Sequence, residues 1–166
     1  MALRKIRIVG DEVLRKKAKK VDKFDSRLHQ LIDDMKETMY DANGIGLAAP
    51  QVGILKRVIV IDIGDQLIEM VNPQIINSEG KEIDIEGCLS VPEKWGEVER
   101  PLNILVKGFD RFGNEIEVNA SGLLARAFCH EIDHLDGILF TDRSLRLLSR
   151  EEIEEIKKDN KKRDLS

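Results

Sequence analysis

Short β-rich runs follow one another through the middle of the chain with no helix-length segment between them. Gly, Asn, Asp or Pro residues separate the runs, which are "RVIVIDI" (Arg57–Ile63), "LIEMV" (Leu67–Val71), "KEIDIE" (Lys81–Glu86), "NILVKGFD" (Asn103–Asp110) and "EIEVNA" (Glu115–Ala120). Parallel strands need long crossover connections, so strands spaced this closely are expected to pair antiparallel. The segment "RFGN" (Arg111–Asn114) is the predicted turn between the last two strands.

Helices are predicted on both sides of this β-rich region. Between Phe24 and Asn43, apolar residues recur at spacings of three and four, with Asp25 or Ser26 as the N-cap and Asn43 as the left-handed end. A C-terminal helix is predicted to begin at Ser149, whose S-x-x-E pattern with Glu152 resembles a capping box.

A further helix, "GLLARAFCHEIDHLD", is predicted after Ser121, a candidate N-cap, with Gly137 as its stop. Two neighbouring stripes of this helix are largely apolar, and only the line of Arg126 and Asp133 is expected to face solvent. The helix is therefore predicted to be mostly buried. The resulting fold class is α+β, with antiparallel β-sheets packed around a central helix and with N-terminal and C-terminal helices.

The bulk composition indicates a single domain, which we expect to span residues 1–166. Apolar residues make up 42% and charged residues 35% of the chain, a balance typical of globular proteins. A net charge of -4 argues against DNA or RNA binding through a broad basic face. Two cysteines are too few for a disulfide framework. Without a signal-peptide or membrane-span pattern, we expect a cytoplasmic protein with no membrane partner.

Two of the three histidines, His130 and His134, lie four residues apart on the predicted buried helix. Side chains at this spacing share one face, so both imidazoles can reach one cation. Glu131 is rotated off that line, where a carboxylate can carry the proton of a metal-activated water. The alternative is a pair of hydrogen-bonded core histidines, but burying Glu131 between Phe128 and Leu135 would then be costly. The pattern favours a metal-binding central helix.

The third ligand has to come from elsewhere in the chain. Phe140 stands where the metzincin pattern requires a third histidine. Glu154 or Glu155 would complete an ordinary metallopeptidase site, but both lie in the charge pattern of a solvated helix. Cys88 follows a strand at Gly87, where an interruption can turn a side chain out of register. A thiolate and two imidazoles leave one coordination position of a metal open. Two alternatives remain: a lone cysteine is commonly a buried apolar residue, and the metal site could be non-catalytic.

The segment "GIGLAA" (Gly44–Ala49) formally fits the dinucleotide fingerprint G-x-G-x-x-G/A. That fingerprint requires a strand before it and a helix that opens within it. Here a helix precedes the glycines, and Pro50 and Gly53 follow them. The context therefore excludes a nucleotide site.

Three separate segments resemble the motifs of the peptide deformylase family, in the same order and with similar spacing. They are "GIGLAAPQ" (Gly44–Gln51), "EGCLS" (Glu86–Ser90) and "HEIDH" (His130–His134), which match G-x-G-x-A-A-x-Q, E-G-C-L-S and H-E-x-D-H. The resemblance covers most of the chain. It implies the fold predicted above and a C-terminal helix like that of the bacterial type.

The resemblance also implies a metal-dependent hydrolase that removes the formyl group from N-formylmethionyl peptides of newly made proteins and releases formate. The residues to which it assigns roles are Cys88, His130 and His134 as metal ligands, Glu131 as general acid/base, the amide of Gln51 and the backbone N–H of Leu89 as oxyanion donors, and Gly46, Ile45 and Glu86 as substrate-binding residues. The implied metal is Fe²⁺, with Zn²⁺, Ni²⁺ or Co²⁺ as possible replacements.

Other features are not assigned by the motifs. Cys129 faces away from the ligand line and is expected to pack in the core. Arg126 would either reach solvent or line the mouth of the methionine pocket, and Trp95 would either contact peptide or pack on the surface. The implied partners are nascent formylmethionyl peptides and, transiently, the ribosome through lysines of the C-terminal helix, although such a charge run is more often a solvated face.

Overall fold

This computed structural model describes residues 2–165 of the chain. They contain two antiparallel sheets and four α-helices. The helices are α1 (Ser26–Asp41), α2 (Leu123–Leu135), α3 (Phe140–Arg143) and α4 (Arg150–Leu165). The strands are β1 (Gly46–Ala48), β2 (Val58–Ile61), β3 (Ile68–Glu79), β4 (Glu82–Cys88), β5 (Val91–Arg100), β6 (Asn103–Phe109), β7 (Glu115–Ser121) and β8 (Arg146–Leu148).

Strand pairing confirms the predicted α+β class. One sheet has the order β1-β2-β3-β6-β7 and the other the order β4-β5-β8, and every strand pair in them is antiparallel. Three strands, β1, β5 and β8, were not predicted. β1 and β8 have only three residues each, too few to show an alternating pattern, and Pro92 and Gly96 interrupt the pattern of β5. β3 also continues past its predicted end, Val71, to Glu79.

Two of the three predicted N-caps are correct. The Asp25 carboxylate accepts the N–H of Leu28 at the start of α1, and Ser149 and Glu152 form the predicted capping contacts before α4. The predicted Ser121 cap is wrong, because Gly122 occupies the N-cap of α2 and the Ser121 hydroxyl donates to Asn103 instead. Within residues 2–165, none of the helices has the length and apolar character needed to cross a bilayer.

Helix α2 lies in the interior, and each residue from Ala125 to Leu135 is buried. The prediction that Arg126 and Asp133 face solvent is wrong. Both are buried because each has ionic partners: Arg126 donates to Glu86, and Asp133 accepts from Arg100 and Arg143. Pairing of this kind is what allows charged groups to leave water.

Helices α1 and α2 pack on opposite faces of the five-stranded sheet. Ile59 and Ile61 of β2 belong to the cluster that contains α2, whereas Val58 and Val60 belong to the cluster that contains α1. Alternation of side chains along a strand produces this division. Both faces of β2 are covered by helices, which is why all four of its residues are apolar. The sheet packs against α2 on one of these faces.

Ile59→Ala is expected to lower the free energy of unfolding by about 2–5 kcal/mol, because it opens a cavity between α2 and the sheet. Ile59 is fully buried, whereas Ile83 on β4 is 55% exposed. Ile83→Ala is the matched control and should change stability by less than about 0.5 kcal/mol. Urea denaturation of both variants measures the difference, and equal effects would contradict this description of the core.

Candidate metal centre

Helix α2 and the end of β4 bring Cys88, His130 and His134 together. One potential ligand atom from each residue lies within 4.8 Å of those of the other two, and Cys88 Sγ is 3.3 Å from Nε2 of His134. Cys88 reaches this position through a register shift between Glu86 and Cys88, which confirms the strand interruption predicted at Gly87. The other candidate ligands, Glu154 and Glu155, lie exposed on α4 and are not part of this cluster.

The chemistry of this donor set fits a divalent transition metal. A thiolate and two imidazoles are ligands that such ions prefer, and three protein ligands leave a position for reaction. Burial lowers the pKa of His134 well below its usual value, which favours the neutral ring that a metal requires. Burial would also lower the pKa of His130, but the nearby carboxylate of Glu131 and other acidic groups raise it well above its usual value. These anionic neighbours favour a cation at the same place.

Glu131 lies next to this cluster with an oxygen that has no hydrogen-bond partner among the described residues. The side chain is buried, and burial raises the pKa of its carboxyl to about 7. A buried carboxylate oxygen without a donor is costly unless a cation or a water molecule compensates it. The position therefore suits a group that exchanges protons beside a metal ion.

The carboxylate of Glu86 contacts His130 at the ring nitrogen that points away from the cluster. Its Oε1 atom lies 2.8 Å from Nδ1 of His130, and its Oε2 atom accepts from Arg126 at 2.7 Å. Arg100 donates to both oxygens, at 2.8 Å and 3.0 Å. Burial alone would raise the pKa of the Glu86 carboxyl, but hydrogen bonds from Arg100 and His130 hold it well below its usual value. An ionised carboxylate on Nδ1 fixes the ring so that Nε2 faces the cluster.

Arg100 and Asp133 extend this ionic network, and the sequence reasoning missed both roles. Arg100 donates to Asp133 at 2.6 Å, and Arg143 donates to both oxygens of Asp133. The available signal for Asp133 was a charged position on a helix whose other faces are apolar. Arg100 carried no comparable signal, because its strand was not predicted.

A cavity of about 360 Å³ opens onto the cluster. Eight of the nine residues to which the motifs assign roles line it, and the ninth, His134, is 1% exposed. Arg126 and Trp95 also line the cavity, as does Leu123, which is 51% exposed. Cys129, which lies on α2 itself, is buried in the core, as predicted, and burial raises its pKa to about 11.

The side chain of Gln51 is held with its amide nitrogen towards Cys88. Its Oε1 atom accepts the backbone N–H of Ala48 at 2.9 Å, so the NH₂ group faces Ser90 Oγ at 3.0 Å and Cys88 Sγ at 3.7 Å. Leu89 and Ser90 form the turn between β4 and β5, directly after the thiol. The Gln51 amide therefore lies near the thiol in space, and Leu89 follows the thiol directly in the chain.

A buried carboxylate beside a three-donor metal cluster, at the base of an open cavity, is the arrangement of a metal-dependent hydrolase. The comparisons agree with this class. The sequence profile described as polypeptide deformylase matches residues 3–151. A peptide deformylase of Caldicellulosiruptor bescii is 66% identical over 165 residues, 99% of each chain. One of Acetivibrio thermocellus is 58% identical over 163 residues, 98% of this chain and 95% of that relative.

A solved structure leads to the same family. The crystal structure of peptide deformylase from Thermotoga maritima is 46% identical, with a TM-score of 0.85, and covers 87% of this chain and 99% of its own. This chain belongs to the peptide deformylase family. It is a hydrolase that removes the N-terminal formyl group from N-formylmethionyl peptides of newly made proteins, in a metal-dependent reaction that releases formate.

Gly46→Ala is expected to reduce kcat by about tenfold or more, because a methyl group at this position would overlap the Glu131 carboxylate and displace it. The substitution is on β1, and Gly46 does not have the positive φ that strains alanine, so the expected effect comes from the contact with Glu131. Steady-state kinetics on a formyl-Met peptide measure the effect. Wild-type kcat in Gly46→Ala would show that the Glu131 carboxylate does not need this space.

Proposed function

We propose that Cys88, His130 and His134 bind the metal ion and that Glu131 is the general acid/base of the deformylation reaction. The single observation that carries this proposal is the convergence of the three ligand atoms within 4.8 Å, with the unpartnered Glu131 oxygen beside them. We expect the whole chain, residues 1–166, to act as one catalytic domain.

The chain's own residues have distinct tasks in the proposed mechanism. Cys88, His130 and His134 would hold a divalent metal, which would supply a water molecule of lowered pKa and polarise the formyl oxygen. The Glu131 carboxylate would accept a proton from the water molecule that attacks the formyl carbon. The amide of Gln51 and the backbone N–H of Leu89 donate to the formyl oxygen as negative charge develops on it. Glu131 then returns the proton to the departing amine, which leaves formate and a peptide with a free N-terminal methionine.

The walls of the cavity support the proposed substrate-binding roles. Gly46 and Ile45 line it, and Ile45 is 45% exposed, so it can contact a peptide that enters from solvent. Glu86 also lines the cavity but is 6% exposed and bound to His130, so we assign its effect on substrate to the position of that ring. The apolar rim suits the methionine side chain.

We propose Fe²⁺ as the metal in the cell, with Zn²⁺, Ni²⁺ or Co²⁺ able to occupy the same ligands in a purified sample. One thiolate and two imidazoles suit all of these ions, so metal analysis together with anaerobic activity is the measurement that decides. We place the reaction in the cytoplasm, where nascent chains appear.

A transient ribosome contact is proposed through α4. Lys157, Lys158, Lys161 and Lys162 are all exposed on this helix, as a contact with the phosphates of RNA requires. Co-sedimentation with ribosomes at low and high salt, before and after replacement of these lysines by glutamine, tests the contact. Unchanged sedimentation of the variant would contradict the proposed ribosome contact.

Glu131→Ala is expected to keep its metal and lose turnover, whereas Cys88→Ala is expected to lose metal, because Glu131 carries protons and Cys88 supplies a ligand. Formate release from formyl-Met-Ala-Ser, measured anaerobically beside metal content per chain, separates the two effects. Glu154→Ala is the control and should keep both wild-type metal content and turnover, because this exposed residue of α4 lies outside the site. An active Glu131→Ala protein would refute the proposed mechanism.

A further inference from the structure

The extended segment Arg7–Val9, here called the N-terminal strap, is attached by its backbone to two parts of the site. The N–H of Arg7 donates to the carbonyl of Gln51 at 2.7 Å, and the N–H of Val9 donates to the carbonyl of Ser90 at 2.7 Å. The strap's side chains contribute little to the core, since Ile8 is 54% and Val9 is 48% exposed. Its connection to the site therefore depends on these backbone hydrogen bonds.

Ser90 joins the strap to both the thiol and the amide. It is fully buried, and each of its polar groups has a different partner. Its carbonyl accepts from Val9, its N–H donates to Cys88 Sγ at 3.4 Å, and its hydroxyl accepts the Gln51 amide at 3.0 Å. Together with the Arg7–Gln51 bond, these contacts close a ring of hydrogen bonds through strap, turn and amide.

The two sides of this ring belong to different sheets. Gln51 lies on a short 3-10 segment (Ala49–Val52) that follows β1 of the five-stranded sheet, whereas Ser90 lies in the β4–β5 turn of the three-stranded sheet. A relative shift of the sheets would move the Gln51 amide away from Cys88. Misplacement of a catalytic group by about 1 Å can cost about 10²-fold in rate.

We propose that the N-terminal strap and Ser90 are positioning residues that fix the Gln51 amide relative to Cys88 for the transition state. This inference rests on the proposed role of Gln51 as an oxyanion donor. It assigns a catalytic effect to a surface segment whose backbone N–H groups donate to Gln51 and Ser90 and not to a proposed metal ligand.

Val9→Pro removes one hydrogen bond of the strap with little strain. The N–H of Asp11 donates to the carbonyl of Ile8 at 3.0 Å, and Gly10 has a φ of 105°, which are features of a type II turn over Ile8–Asp11. Proline is favoured at the second position of such a turn, which is Val9. Val9→Ala is the matched control, because it shortens the same side chain and keeps the N–H.

Val9→Pro is expected to lower kcat about tenfold, less than the 10²–10³-fold that loss of an oxyanion donor commonly costs. KM for formyl-Met-Ala-Ser and metal content per chain should stay at wild-type values, and Val9→Ala should keep wild-type kcat. Ser90→Ala provides a second test, independent of how Val9→Pro folds, because it removes the hydroxyl that accepts from Gln51. It should also lower kcat without loss of metal.

A double-mutant cycle with Gln51→Ala identifies the route of the effect. If the strap and Ser90 act through the Gln51 amide, neither Val9→Pro nor Ser90→Ala should lower kcat further in the Gln51→Ala background. Equal losses in both backgrounds, or wild-type kcat in both single variants while Gln51→Ala is slow, would overturn the inference alone. A fully active Gln51→Ala enzyme would instead overturn the proposed role of Gln51.

Discussion

The buried carboxylate of Glu86 is the contact on which the geometry of the site depends. It joins β4, β5 and α2, because it is bound at once by Arg100, Arg126 and His130. Each of these groups would be costly to bury alone, and removal of one partner from such a cluster typically costs about 3–5 kcal/mol. The network therefore stabilises the interior and also sets the direction of the His130 ring, a proposed metal ligand.

The parts of the structure that local sequence determines could be predicted. The start of α1 at the Asp25 cap, the capping contacts of Ser149 and the register shift at Gly87 all depend on residues close together in the chain. The shared face of His130 and His134 follows from helical spacing in the same way. The position of Cys88 beside them needed a family resemblance, because spacing alone left its burial in the core as an alternative.

The features that sequence reasoning missed depend on contacts between distant residues. Arg126 and Asp133 form a polar line on α2, and their burial depends on partners distant in the chain. Arg126 donates to Glu86 on β4 and to the Val98 carbonyl on β5, whereas Asp133 accepts from Arg100 on β5. β5 itself was hidden by Pro92 and Gly96, and it becomes a strand because β4 and β8 pair with its two edges. The strap is equally hidden, because its role is carried by backbone groups that every residue type except proline possesses.

The three proposed ligands come from two parts of the fold that meet at the site. Cys88 ends a strand of the small sheet, whereas both histidines lie on a helix packed against the large sheet. A bound ion would therefore act as a cross-link that closes a long loop of chain, and its binding free energy would add to the cohesion of the two units. In this fold, the ion that serves catalysis would also stabilise the contact between the small sheet and α2.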